Sequence, residues 1–139
     1  MRPPPKQKNI RDFEMKFGLK LPPLYLQLLM HANGGHPELN SYVNSLNGKG
    51  TAIDHLYHLS DDKSSYNSIW RIASDYRKYI SRSALAFAEN GGGDMIALDV
   101  EMLNNPVSIH YGDNNFKGVF LSDSFEEFID GLKIDPEMI

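Results

Sequence analysis

The chain has 139 residues, 41% of them hydrophobic, with 14 Lys+Arg against 18 Asp+Glu and no cysteine. That length supports one ordinary domain burying roughly 68–70% of the surface its unfolded chain exposes, which excludes a large multidomain enzyme. Without cysteine there is no disulfide, thiolate nucleophile, CxxC redox pair or Cys-based zinc finger, and no apolar run approaches the ~18–20 residues that span a bilayer. The basic start, Met1-Arg2-Pro3-Pro4-Pro5-Lys6, leads into no apolar segment of the secretory kind. The expectation is a soluble cytoplasmic domain.

Charge is unevenly distributed. Residues 1–82 carry 12 Lys/Arg and 7 Asp/Glu, whereas residues 83–139 carry 2 Lys/Arg (Lys117 and Lys133) and 11 Asp/Glu. An acidic second half disfavours a phosphate backbone as its partner and suits either a basic protein surface or plain solvation.

Residues 1–8 lack apolar periodicity and read as a flexible, basic, proline-rich tail. Asn9 is positioned to cap a short helix in which Ile10, Phe13 and Phe17 recur on one side, and Gly18 is its left-handed stop. Leu21-Pro22-Pro23 starts a second helix carrying Leu24, Tyr25, Leu28 and Leu29, and Asn33-Gly34-Gly35 ends it. The stretch 39–59 reads as two strands about the Asn47-Gly48-Lys49-Gly50 turn, with residues 51–59 as one imperfectly alternating strand. The cluster Asp61-Asp62-Lys63-Ser64-Ser65 offers caps for the next helix, whose apolar side is Ile69, Ile72, Ala73, Tyr76 and Ile80. Residues 83–88 and 95–100 flank Gly91-Gly92-Gly93 as a β-hairpin. Strands follow at Val107-Ser108-Ile109-His110-Tyr111 and Gly118-Val119-Phe120-Leu121. A last helix bears Phe125, Phe128, Ile129 and Leu132, capped by Ser124 with Glu127 or by Asp123 with Glu126. This order predicts one α+β domain over residues 9–139: a mainly antiparallel sheet of about five to six strands with N-terminal, central and C-terminal helices.

No catalytic, cofactor-binding or metal-ligating constellation emerges. Gly91-Gly92-Gly93-Asp94 leads into a strand, whereas a phosphate loop opens a helix and carries a spaced Lys-Ser/Thr. His31, His36, His55, His58 and His110 include no HExxH pair, and His55 and His58 point to opposite faces of a strand. There is no GxSxG nucleophile elbow, and Asp61/Asp62 and Glu126/Glu127 are paired only by adjacency. Trp70 beside Arg71 reads either as an interface anchor or as a half-buried shoulder of its helix. The basic and tyrosine residues of 71–82 read either as a nucleic-acid face or, more commonly, as a mixed helix surface.

Four ordered segments resemble the SUKH superfamily, the domain of fungal cell-wall and glucan-synthesis regulators and their bacterial relatives. They are Phe17-Gly18-Leu19-Lys20-Leu21-Pro22-Pro23-Leu24-Tyr25 through Leu28-Leu29 to Asn33-Gly34-Gly35; Phe87-Ala88 with Gly92-Gly93-Asp94 and Leu98-Asp99; residues 107–111 with Asp113; and Leu121-Ser122-Asp123-Ser124-Phe125-Glu126-Glu127-Phe128-Ile129. Relatives often carry a His-Glu pair after the third segment, where this chain has Asn114-Asn115. The resemblance implies an α+β, protein-binding domain without catalytic residues, and the residue pattern gives no cofactor or metal to expect. It further implies an immunity protein that neutralises a cognate polymorphic toxin, often a nuclease, or alternatively a regulatory module with a non-toxin protein partner. No nucleic-acid or membrane partner is expected. Charge and expected turn or helix-end position nominate Glu89, Asp94, Glu101, Asp113, Glu126 and Glu127 for the partner surface; Asp99 is set aside for a structural role.

Overall fold

The computed structural model describes residues 1–134. Helices α1 (Gln7–Phe17) and α2 (Pro23–His31) flank the expected elbow. Gly18, at φ 64°, closes α1 by donating its N–H to Glu14 O at 2.9 Å. Helix α1 begins two residues before Asn9. Lys6 stands at the cap position, and Asn9, one turn inside, accepts the Lys6 N–H at 2.8 Å and donates to Asp61 at 2.8 Å. Asn9 thus supplies the return bond of a cap rather than its start.

The segment expected to fray is tied down. Arg2 N–H bonds Asn33 O at 2.9 Å, Pro5 is buried, and Arg2 and Lys6 each lie 3.1 Å from a carboxylate, Asp62 and Asp61 respectively. The anchor is Asn33, 1% exposed, whose amide donates to Pro3 O at 2.7 Å and Leu59 O at 2.9 Å and accepts Leu59 N–H at 2.8 Å. One side chain fastens three segments, because buried polar backbone must find partners.

Strands β1 (Ser41–Val43) and β2 (Gly50–Ala52) form a separate antiparallel hairpin. A Cβ on Gly50 would lie 2.4 Å from Tyr42 O, so only glycine allows this approach. The expected single strand over 51–59 divides here. Ile53 N–H bonds Asn40 O at 2.7 Å, Asp54 N–H bonds Glu89 O at 2.8 Å, and the chain crosses to the main sheet as β3 (His55–Leu56). Helix α3 (Ile69–Ile80) takes Ser68 as its cap, rather than the 61–65 cluster, with Ser68 Oγ accepting Trp70 N–H at 3.2 Å.

Strands β4 (Ala84–Glu89), β5 (Met95–Asp99), β6 (Val107–Tyr111) and β7 (Lys117–Ser122) complete an antiparallel meander in the order β3-β4-β5-β6-β7. Helix α4 (Phe125–Asp130) follows, with Ser124 Oγ accepting Glu127 N–H at 3.0 Å, the first of the two capping registers. The α+β expectation holds, and the small hairpin brings the described strands to seven.

Cross-strand rows set the core. Leu85, Leu98 and Val107 are register partners, as are Ile96 and Ile109. A bulge between Ala86 and Ala88 accommodates Phe87, whose ring meets Tyr25 of α2 at 6.3 Å and Phe125 of α4 at 5.3 Å. Helix α3 packs against β4, and α1 joins it through Phe13, Phe17 and Trp70, with ring centroids 4.7–5.7 Å apart. Trp70 is therefore a packed shoulder, its ring also covered by Lys63 Nζ at 4.1 Å. No helix of the described residues is long and apolar enough to cross a membrane.

Candidate functional site

The antiparallel register fixes where the nominated acids lie. β4 ends, β5 begins, β6 ends and β7 begins at one edge of the meander, which gathers Glu89, Asp94 and Asp113. The opposite edge carries Glu101 on the β5–β6 loop and Glu126 and Glu127 in the first turn of α4. Phe125 N–H donates to Asn104 O at 3.1 Å, tying that loop to α4. The six residues form two groups, not one patch.

The groups differ in availability. Glu101, Asp113, Glu126 and Glu127 are exposed. Asp94 is half-buried, its carboxylate accepting Gly112 N–H at 3.0 Å and Asn90 Nδ2 at 3.1 Å, so it organises the turn. Glu89 has 17% side-chain exposure; one oxygen accepts the Tyr57 hydroxyl at 2.9 Å, and the other faces His55 Nε2 at 3.7 Å, beyond hydrogen-bond distance. Asp99 does hold structure: Oδ1 accepts the N–H groups of Glu101 and Met102 at 2.9 and 3.1 Å, and Oδ2 accepts the Ser83 hydroxyl at 3.1 Å.

The fold adds residues that were not nominated for the partner surface. Asp123 and Asp130 line an open groove with Glu126 and Glu127, floored by Pro22, Pro23 and Leu24 of the elbow. At the other edge, a cleft of about 150 Å³ opens between α3 and the sheet, lined by Tyr57, Tyr66, Tyr76, Phe116, Arg71, Asp75 and Glu89 among others. Phe116 holds φ 58°, a left-handed conformation that costs a bulky residue about 1–3 kcal/mol. Its ring is held by Tyr76 at 5.5 Å and stacked on Tyr79 at 5.7 Å. The sequence signal for this cleft was only the mixed basic and tyrosine face of residues 71–82.

Charge pairing separates the two halves. Asp12, Asp61, Asp62 and Asp75 each lie within 3.0–3.5 Å of a Lys or Arg of residues 1–82. Among the described residues, no carboxylate from Asp94 to Asp130 forms an ion pair. Two of the four basic residues of 71–82 are likewise engaged: Arg71 pairs with Asp75, and Arg77 donates to Phe17 O at 2.6 Å and to Arg82 O. Burial lowers the Arg77 pKa, chiefly through desolvation.

The five histidines do not gather at one point, although His36 and His55 meet edge-on beside Asp54 with ring centroids 6.2 Å apart. His55 Nδ1 bonds Asp54 at 2.9 Å and His58 Nδ1 bonds Ser60 Oγ at 3.0 Å, while His110 Nδ1 meets Phe116 O at 3.0 Å and so donates there. Among the described residues no group of three or more His, Asp or Glu side chains is placed to hold a metal. Burial pushes the Tyr57 hydroxyl far up, reinforced by Glu89, so it stays a hydrogen-bond donor.

The fold is thus an α+β domain with a five-strand meander whose nominated acids lie at its two edges. Residues 4–131 match the SMI1 / KNR4 family (SUKH-1), and the chain belongs to that family. Membership supports a protein-binding immunity or regulator domain at the level of the family. Comparison with individually characterised proteins returned no match.

Proposed function

We propose that this chain is a non-catalytic cytoplasmic immunity protein that binds a cognate toxin domain and blocks it stoichiometrically. The observation that supports this reading is the unpaired acidity of the second half, on a domain whose family membership points to protein contacts. Carboxylates without internal cations leave a net negative field, which steers a basic surface into contact and competes with nucleic acid if the toxin is a nuclease. The partner surface comprises Glu101, Glu126 and Glu127 at one edge and Asp94, Asp113 and Glu89 at the other.

The test is co-expression with the product of the neighbouring gene. An immunity protein co-purifies with it at one-to-one ratio and restores growth to cells expressing the toxin domain. A stable complex with a protein that is harmless when expressed alone points instead to the regulatory reading. Loss of activity in a third protein, with no complex formed, contradicts both.

A further inference from the structure

We propose that the cleft between α3 and the sheet edge receives one cationic side chain, a lysine or arginine, of the protein partner. The inference rests on the protein-binding reading above and names the chemistry of its anchor.

Size restricts the guest. About 150 Å³ is half the lower bound of roughly 300 Å³ for small-molecule and cofactor pockets, yet several times the ~30 Å³ share of one water. That accommodates the end of one side chain.

The lining selects its charge. Three tyrosines, Tyr57, Tyr66 and Tyr76, and the ring of Phe116 form the walls, and aromatic faces attract cations. Arg71 is the one cation among the described lining residues. It lies 3.5 Å from Asp75 and donates to Ser64 O at 3.3 Å, so the two charges cancel. Glu89 remains. Its Oε1 is held by Tyr57, and its Oε2 has only the His55 Nε2 at 3.7 Å, which is itself buried without a hydrogen bond. A half-buried carboxylate with one oxygen free of hydrogen bonds, walled by rings, is matched by a charge-assisted N–H donor. Arg71 already sits 5.7 Å from the Tyr66 ring, so the same wall accepts a cation within this molecule. Tyr66 is 70% exposed, an aromatic surface at the mouth of the kind that anchors interfaces.

The experiment follows amide resonances of the intact chain during titration with N-acetyl-arginine amide, N-acetyl-lysine amide and the uncharged N-acetyl-norleucine amide. The expected result is saturable shifts at Gly93, Met95, Gly112 and Phe116 with one or both cations and none with norleucine. Glu89→Gln, which keeps an acceptor for Tyr57, should weaken the cation by roughly tenfold, and the fold-neutral Tyr66→Ala by several-fold. Should Glu89→Gln fail to fold, Tyr66→Ala decides. Equal shifts with norleucine, no saturable shift with either cation, or wild-type affinity in Tyr66→Ala overturn the proposal. The probes are free amino-acid amides, so the outcome is independent of whether any toxin is bound; failure of the co-purification alone leaves the cleft standing.

Discussion

Residues 1–82 and residues 83–134 differ in how they pair their charges, although Asp94 and Asp99 of the second region also hold turns in place. In the first region four of the seven carboxylates, Asp12, Asp61, Asp62 and Asp75, meet a Lys or Arg of the same region, and Asn9, Glu14 and Asn33 bond backbone or side-chain groups that fasten the N-terminal segment and the helical elbow. In the second region the sheet is fastened by its own ladder and apolar rows, and most carboxylates have no cation to meet. The net acidity of the chain is therefore a property of one region with surface to offer, not an even film over the molecule.

The sharpest break in this comparison is Asn33→Ala. It leaves Leu59 N–H without its partner and removes two further bonds, and each buried group so orphaned costs about 1–3 kcal/mol. Denaturant unfolding should show a loss of roughly 3 kcal/mol. In contrast, Glu101→Lys with Glu126→Lys and Glu127→Lys should cost no more than about 2 kcal/mol, because those side chains are exposed and contribute only the favourable charge of two acids at the N-terminus of α4. A large loss in the triple variant would erase the distinction.

Acid should act through buried imidazoles. His58 is held below the usual histidine value by burial and then by the charge of Arg2, and His110 by burial. Folded molecules thus bind fewer protons than unfolded ones. The stability these groups contribute is complete above about pH 6.5 and falls as pH drops from there toward their lowered values. The melting temperature should decline between about pH 7 and about pH 5, and His110→Gln should flatten part of that slope. An unchanged slope in that variant places the titration elsewhere.

The smallest effect belongs to the exposed pairs. Lys6→Ala breaks an ion pair whose two side chains are each 73% exposed, and thermal unfolding should register little or no change in melting temperature.

Much of the fold was legible because periodicity, glycine stops and hydroxyl caps act locally: α1–α2 with its elbow, the β4–β5 hairpin and the Ser124 cap all follow from neighbouring residues. What was not legible depends on partners far away in sequence. Asn33 reaching Pro3 and Leu59, or the strand over 51–59 splitting between Asn40 and Glu89, leaves no local mark. The site was legible as charge but not as geometry. Glu89 appeared a surface acid and is instead lodged beside Tyr57, while the division of six acids between two edges is set by the meander.

The central claim is that unpaired acids of the second region bring this chain onto a basic protein surface. The direct measurement is the association rate with the co-purified partner from about 50 to about 200 mM salt, for wild type, for the Glu101, Glu126, Glu127 lysine triple and for Asp113→Lys, whose exposed side chain holds no turn. The account predicts a wild-type rate that falls steeply with salt and a charge-reversed variant at one edge or both that loses most of both rate and salt dependence. Identical rates across all three proteins at every salt concentration would contradict it.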